Sequence, residues 1–229
     1  MNLNVTIAHE HKLFRSGIKS LINNMTGRKL SSGKEYSRYN IINDVSTPGE
    51  LVSTLTNNDI DILLLGYSLH TDENKNSPLA SMDGYNLVKW LRNKYPKLKI
   101  VVMSPHRHAS LVRMMLAAGI SGYISMDICD RTLERVMSTV LNNEVYVEND
   151  LMRSLLNSHN NTNEITPKEL EVLRLLCKGL SLTKIAARMN LSIKTVSAHK
   201  LRAMDKLDVD NDCQLYFLLS RSSLFDIRL

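Results

Sequence analysis

Short apolar runs alternate with segments of helical spacing along the first two thirds of the chain. Residues 62–65 are continuously apolar, which is typical of a strand buried on both faces of a sheet. The intervening segments repeat apolar residues every three or four positions, and Thr47-Pro48-Gly49-Glu50 is a typical start for one of these helices. Strands are predicted at residues 5–8, 39–45, 62–65, 100–103 and 123–124. The pattern predicts an α/β fold with a doubly wound, parallel five-stranded sheet covered by helices on both faces.

After a polar segment at residues 157–163 the pattern changes to helices alone. That segment has almost nothing to bury, which is typical of a linker. Thr166-Pro167-Lys168-Glu169 predicts a capped helix start, Gly179 the end of that helix, and Ser181 and Ser192 the starts of the next two. We therefore predict an α/β domain at 1–148, a linker at 149–163 and an all-α domain of four helices at 164–229.

Positive charge is concentrated in this second domain. The whole chain has a formal net charge of +6, with 29 Lys and Arg against 23 Asp and Glu. Residues 168–206 alone contain nine Lys and Arg against three acidic residues, so this segment accounts for the whole excess. A solvated charged face on helices is the alternative, but such a local excess favours a nucleic-acid partner.

Several classes of protein are excluded by what the sequence lacks. The longest apolar stretches are too short to cross a membrane, and the first ten residues do not resemble a secretion signal. The three cysteines, Cys129, Cys177 and Cys213, are spaced for neither a disulfide framework nor a zinc site. No glycine-rich phosphate loop or nucleophile elbow is present. We expect a cytoplasmic protein that is not an enzyme and needs no cofactor.

The second and third helices of the C-terminal domain predict a helix-turn-helix, because two short helices follow one another across a tight turn. On a helical wheel, Val196, Ala203 and Leu207 form the buried stripe of the longer helix. Small and polar residues lie on the opposite face, where they would allow the helix to enter a major groove. His199 and Lys200 fall near the edges of the buried stripe.

Residues 165–209 closely resemble the DNA-binding domain of LuxR-type bacterial regulators, also called NarL/FixJ-type. The resemblance rests on the TPxE start, the LxxGLS bend and the KTVxxHxxxxxxKL recognition helix. It implies that double-stranded DNA is the partner. The residues that would contact DNA are Thr183, Lys184, Lys194, Thr195, Ser197, Ala198, Lys200, Leu201 and Arg202.

Two of these residues, Ala198 and Leu201, have no hydrogen-bonding side chain, so their natural role would be contact with thymine methyl groups. Base readout would then be modest, and DNA shape would contribute more of the sequence preference. For Thr195, as for His199, a local capping or packing role is an equal alternative. Val196 and Leu207 are predicted core residues.

The N-terminal domain resembles the receiver domain of the same regulators, but its phosphorylation site is degenerate. The acidic pair after the first strand falls on His9 and Glu10, and the phosphate-accepting aspartate after the third strand falls on Gly66. The family's lysine falls on Met126. The hydroxyl residue and the aromatic switch are retained as Ser104 and Tyr123.

Three of these differences affect the same chemistry. Gly66 has no carboxylate to accept a phosphoryl group, His9 and Gly66 remove two oxygen ligands of magnesium, and Met126 removes a compensating cation. We predict a receiver-like domain that neither accepts phosphate nor binds magnesium at this site. A shifted acceptor at Asp61, Asp72 or Asp83 is the less favoured alternative.

Four histidines follow the first and fourth strands, namely His9, His11, His106 and His108. The ends of these strands lie at one edge of a doubly wound sheet, so the imidazoles could converge on a metal or titrate together. Four exposed loop histidines are the favoured interpretation, and we predict no metal site.

The features together predict a bacterial transcription regulator that binds promoter DNA and is controlled by something other than phosphorylation. The receiver-like domain would serve dimerisation or partner binding, and Leu215 and Leu218 of the last helix would pair the DNA-binding domains. The alternative is an auxiliary subunit that heterodimerises with, or sequesters, another regulator of the family. Candidate protein partners are a second copy of the chain, such a regulator and RNA polymerase.

Overall fold

The computed structural model describes residues 2–26, 38–70, 82, 84–105, 107, 109–157, 165–207 and 209–221. The chain divides into two compact units, Met1–Ser104 with Met115–Glu148, and Pro105–Met114 with Asn149–Leu229. No helix in the described ranges has both the length and the apolar character needed to span a bilayer.

The first unit contains a parallel α/β sheet, as the alternating pattern predicted. Its strands are β1 (Asn2–Ala8), β2 (Arg38–Val45), β3 (Ile62–Gly66), β4 (Lys99–Met103), β5 (Gly122–Ile124) and β6 (Tyr146–Val147). They are hydrogen-bonded in the order β2-β1-β3-β4-β5-β6, and every pair is parallel. Between them along the chain are α1 (Lys12–Thr26), α2 (Pro48–Asn57), α3 (Gly84–Lys94), α4 (Ala109–Ala117) and α5 (Asp130–Leu141). Most of α4 falls within the range assigned to the second unit.

The sheet has six strands rather than the predicted five. The additional strand β6 is two residues long and pairs Tyr146 with Gly122 and Val147 with Tyr123. A two-residue strand is too short to leave a periodic signal in the sequence, and only its pairing with β5 defines it.

The core of this unit explains why the strands formed where they did. All five residues of β3 are buried, in agreement with its continuous apolar run. One apolar cluster joins Val5, Ile7 and Leu64 of the sheet to Ile18 of α1 and Val136 of α5. At α2 the predicted capping box is present, since Thr47 Oγ1 accepts the Glu50 N–H and the Glu50 carboxylate accepts the Thr47 N–H.

The second unit is helical. It contains α6 (Asn149–Asn157), α7 (Pro167–Cys177), α8 (Leu182–Met189), α9 (Ile193–Lys206) and α10 (Asp212–Arg221). The four helices α7 to α10 are those predicted for the C-terminal domain. The first part of the predicted linker, by contrast, forms α6, in which Leu151 is buried. Residues 158–163 lie outside the described part of the chain, and the domain limits remain a prediction.

The predicted role of the last helix was wrong for one residue. The side chain of Leu215 is fully buried, so it is not available to a second copy of the domain. The heptad-like spacing of Leu215 and Leu218 is equally typical of a helix packed into its own domain, and the sequence alone does not distinguish the two. The side chain of Leu218 lies outside the described residues.

Candidate nucleic-acid interface and receiver-like site

Local hydrogen bonds shape the helix-turn-helix. Ser181 Oγ accepts the Lys184 N–H at 3.4 Å, and Ser192 Oγ accepts the Thr195 N–H at 3.0 Å, so each serine caps its helix as predicted. Asn190, between the helices, takes a left-handed conformation with φ of 53°. This conformation ends α8 and lets α9 begin three residues later.

Two of the three residues of the predicted buried stripe of α9 form its inner face. Val196 and Ala203 are fully buried, and Val196 packs with Ile185 of α8 and Val172 of α7. Leu207, which caps the end of the helix, is only partly buried, so its prediction as a core residue was wrong. The outward positions are open to solvent to different degrees. Thr183, Lys184, Lys194, Leu201 and Arg202 are exposed, whereas Thr195, Ser197, Ala198 and Lys200 are partly buried.

One predicted DNA contact, Lys200, is held by an acidic residue of the same domain. Its ammonium lies 2.5 and 2.6 Å from the two carboxylate oxygens of Asp212, in the first turn of α10. The Lys200 side chain is only 13% exposed. This ion pair fastens α9 to α10, a role that the charge count alone did not predict.

A second acidic residue, Glu169 of α7, holds the carboxyl half of α9. Its buried carboxylate accepts a hydrogen bond from Lys206 Nζ at 2.8 Å and lies 3.7 Å from Arg202 Nε. It also accepts the Thr166 N–H of the predicted capping box. Burial acts to raise the pKa of Glu169, but the hydrogen bonds from Lys206 and Thr166 outweigh it and hold that pKa below its usual value.

Two lysines of the helix-turn-helix differ from the ion-paired Lys200 and Lys206. Neither Lys184 nor Lys194 has an acidic partner among the described residues, and both are exposed. They lie in the first turns of α8 and α9. Unpaired, exposed lysines at these positions are the ones best suited to reach phosphate oxygens.

Specific contacts support a local capping or packing role for Thr195 and His199. The hydroxyls of Ser192 and Thr195 lie 2.8 Å apart within the cap, and Arg202 donates to His199 Nδ1 at 3.0 Å. Partial burial and the neighbouring Arg202 lower the pKa of His199, although Glu169 acts to raise it. The assignment of Thr195 to DNA stays a prediction.

Ile193, the first residue of α9, was not predicted as part of this surface. Its side chain is 50% exposed although it is large and apolar. It lies four residues before Ser197 and eight before Leu201, hence on the same face. A wheel extended by one residue would have found it.

At the carboxyl edge of the sheet, the ends of β1, β3 and β4 lie side by side and bring His9, Gly66 and Ser104 together. His9 is 4% exposed, and its Nδ1 accepts the His11 N–H at 3.0 Å. A Cβ placed on Gly66 would lie 2.5 Å from His9 Cδ2. The imidazole therefore fills the space that a side chain at position 66 would need.

The environment of His9 keeps its ring neutral. Burial, followed by the neighbouring His11 and Arg15, lowers the pKa of His9 to about 4. Arg15 also donates to the carbonyl oxygens of His9 and Glu10, at 2.6 and 3.0 Å, and is ion-paired with Asp44. The loop after β1 is thereby tied to α1 and β2.

Two more residues of the predicted receiver site, Ser104 and Tyr123, lie at β4 and β5. Ser104 and Tyr123 are fully buried and hydrogen-bonded to each other, and burial raises the pKa of Tyr123. Glu10 and Met126 are partly exposed.

The alternative phosphate acceptors and the predicted histidine cluster are described only in part. Asp61 precedes β3 at the opposite edge of the sheet, where it accepts the Asn4 N–H at 2.8 Å. Asp72, Asp83, His106 and His108 lie outside the described residues. The expectation of four exposed histidines was wrong for His9, because a ring that follows a buried strand fills the gap left by Gly66. The residues that are described contain no group of three or more potential metal ligands.

Comparison with known proteins identifies the helical domain. Residues 163–219 match the family described as bacterial regulatory proteins, luxR family. The C-terminal domain is a LuxR-type helix-turn-helix. This confirms the resemblance on which the site prediction for this domain was based.

Similarity to known regulators extends over both domains. The transcriptional regulatory protein RcsB of Escherichia coli strain K12 is 26% identical over 226 residues, which are 97% of this chain and 96% of RcsB. The response regulator UvrY of the same strain is 21% identical, over 97% of this chain and 95% of UvrY. A solved structure of RcsB from Salmonella enterica serovar Typhimurium is also similar; it was determined bound to promoter rprA in the presence of the phosphomimetic BeF3−. It superposes on this chain with a TM-score of 0.74 at 26% sequence identity, and the match covers 97% of this chain and all of the RcsB chain. The chain is thus similar to RcsB over nearly its whole length and has the LuxR-type DNA-binding domain of a transcription regulator.

Proposed function

We propose that this protein binds promoter DNA as a dimer through α8 and α9, and that its receiver-like domain works without phosphorylation. RcsB supports the first part, because it has been solved on promoters rprA and P1flhDC and as two dimers on two parallel DNAs. The exposed Lys184 and Lys194 and the outward face of α9 supply a surface suited to DNA.

Ion pairs with Asp212 and Glu169 hold some cations of α9, whereas Lys194 has no acidic partner among the described residues. Replacing Lys194 with glutamine is expected to weaken binding to all DNA sequences alike. It should also reduce the slope of log K against log salt concentration by about one per bound domain, because one phosphate contact is lost. The measurement is a titration of fluorescent duplex with full-length protein at four or more salt concentrations.

Lys200→Gln is the matched control, since it removes the same charge from the same helix. We expect the slope of log K against log salt concentration to stay unchanged. The free energy of unfolding should fall by up to about 1 kcal/mol, and Asp212→Asn should reproduce this loss, because the ion pair joins α9 to α10. A fall in slope for Lys200→Gln as large as that for Lys194→Gln would show that Lys200 leaves Asp212 to contact phosphate.

The proposal that the receiver-like domain works without phosphorylation rests on the close packing of His9 against Gly66. The position that resembles the acceptor has no side chain, and the space in front of it is filled by a neutral imidazole. Phosphoryl transfer needs a carboxylate in that space, with a cation to balance the charge. Gly66 supplies no carboxylate there, and Met126, at the position that resembles the family's lysine, supplies no cation.

Phosphorylation independence is tested with radiolabelled acetyl phosphate and magnesium, using RcsB as a positive control. We expect no label on this protein, and no change in its DNA affinity when beryllium fluoride is added. Stable labelling would overturn this part of the proposal. Loss of the label in Asp61→Asn, Asp72→Asn or Asp83→Asn would then identify a shifted acceptor.

The dimer is tested separately by sedimentation of the purified protein with and without duplex DNA. Two copies per duplex support a self-sufficient dimer. DNA binding that requires a second regulator would favour the auxiliary subunit instead.

A further inference from the structure

Two large apolar side chains stand out from the basic surface of α9. Leu201 is 61% exposed and Ile193 is 50% exposed, whereas Val196 on the same helix is fully buried. A branched aliphatic side chain that stays in water forgoes the favourable free energy of its burial. These two residues therefore contribute little to the folding of the domain.

Both residues belong to one ridge of the helix. Ile193, Ser197 and Leu201 are separated by four residues each, so their side chains follow one another along the same face. Ser197 in the middle is small and only partly buried. The ridge thus presents an aliphatic group at each end with a low, polar gap between them.

The charge around the ridge indicates what covers it. Lys194 directly follows Ile193, and Lys184 lies in the first turn of the preceding helix, both exposed and without an acidic partner among the described residues. A partner that covers the ridge must therefore also satisfy cations, as a DNA major groove with its bordering phosphates does.

Aliphatic side chains recognise bases in one way only. They neither donate nor accept hydrogen bonds, so they cannot match the polar edges of guanine, cytosine or adenine. The 5-methyl group of thymine is the one apolar feature of the major groove. A methyl group buried against an aliphatic side chain is worth roughly 0.8 kcal/mol.

We infer that Ile193 and Leu201 are specificity-determining residues that read thymine 5-methyl groups in the major groove. Each half-site would then carry a thymine opposite each end of the ridge. The inference rests on the proposed DNA binding and extends it by naming the chemical group recognised. It also adds Ile193, which lies in the first turn of the helix, where recognition helices contact base edges.

The test uses the tightest duplex selected from random DNA by the full-length protein, at near-physiological salt. Each thymine is replaced singly by deoxyuridine, which removes only the 5-methyl group. We expect the Kd to rise about fourfold at each thymine read, and at one or more positions in each half-site. The rise caused by a thymine facing Leu201 should vanish in Leu201→Ala, and that of one facing Ile193 in Ile193→Ala.

Lys194→Gln serves as the control, because it should weaken the thymine and deoxyuridine duplexes by the same factor. A sequence preference that is insensitive to every deoxyuridine would overturn the inference in favour of readout by DNA shape. So would an alanine variant whose self-association changes while its response to deoxyuridine does not, because the ridge would then face protein. Absence of any DNA binding would instead refute the proposed function itself.

Discussion

Replacing Gly66 with aspartate is expected to destabilise the receiver-like domain by more than about 3 kcal/mol, although aspartate is the residue that the family resemblance implies at this position. A Cβ there would lie 2.5 Å from His9 Cδ2, so the buried imidazole would have to move. Overpacking of this kind costs about 1–3 kcal/mol, and burying the carboxylate adds to that. Urea unfolding followed by the fluorescence of Trp90, the single tryptophan of the chain, reports on this domain.

A double-mutant cycle between Gly66→Ala and His9→Ala supplies the control. Gly66→Ala introduces the Cβ without a charge, and His9→Ala removes the ring that it would meet. We expect the double variant to be more stable, by about 1 kcal/mol or more, than the sum of the two single effects predicts. Additive effects would show that His9 does not occupy the space in front of Gly66.

Lowering the pH from about 6.5 to 4 is expected to cost this domain about 3 kcal/mol through His9 alone. Burial holds the pKa of His9 at about 4 in the folded protein, against about 6.5 when the chain is unfolded. Above pH 6.5 the ring is neutral in both states and costs nothing. Between the two values only the unfolded state takes up the proton, so stability falls as the pH falls.

His9→Asn is the matched variant, because its side-chain oxygen can accept the His11 N–H that Nδ1 accepts now. Urea unfolding at several pH values between 7 and 4.5, again followed at Trp90, should show a decline in the native protein that the variant lacks. Burial acts to raise the pKa of Asp44, but the hydrogen bonds from Lys19 and Arg15 hold it below its usual value. This carboxylate is present in both proteins, so its own contribution cancels in the comparison. Equal declines in both proteins would mean that His9 titrates normally.

The elements of both domains could be predicted from the sequence because their signals are local. Thr47 and Thr166 each begin a capping box whose donors and acceptors lie within three residues, and both boxes are present. The apolar run of β3 likewise predicts its own burial. Apolar periodicity predicted the faces of α9 for the same reason, since residues on one helix keep a fixed angular relation.

The candidate sites could be predicted only in part. A resemblance of motifs places Lys200 at the DNA surface, but Asp212, twelve residues away, holds its ammonium. Glu169, which is even more distant in the sequence, accepts a hydrogen bond from Lys206 and lies near Arg202. Which cation meets which carboxylate depends on how α7, α9 and α10 pack, and no local pattern encodes that.

The sequence by itself determined the parallel α/β fold, the helix-turn-helix and the absence of a side-chain carboxylate at position 66, because each follows from residue type and short-range spacing. Only the tertiary structure decided what occupies the space in front of that position. His9 and Gly66 are 57 positions apart in the sequence, and the pairing of β1 with β3 makes them neighbours. Steric fit between distant residues is a property of the packed chain, so the filled site became visible only there.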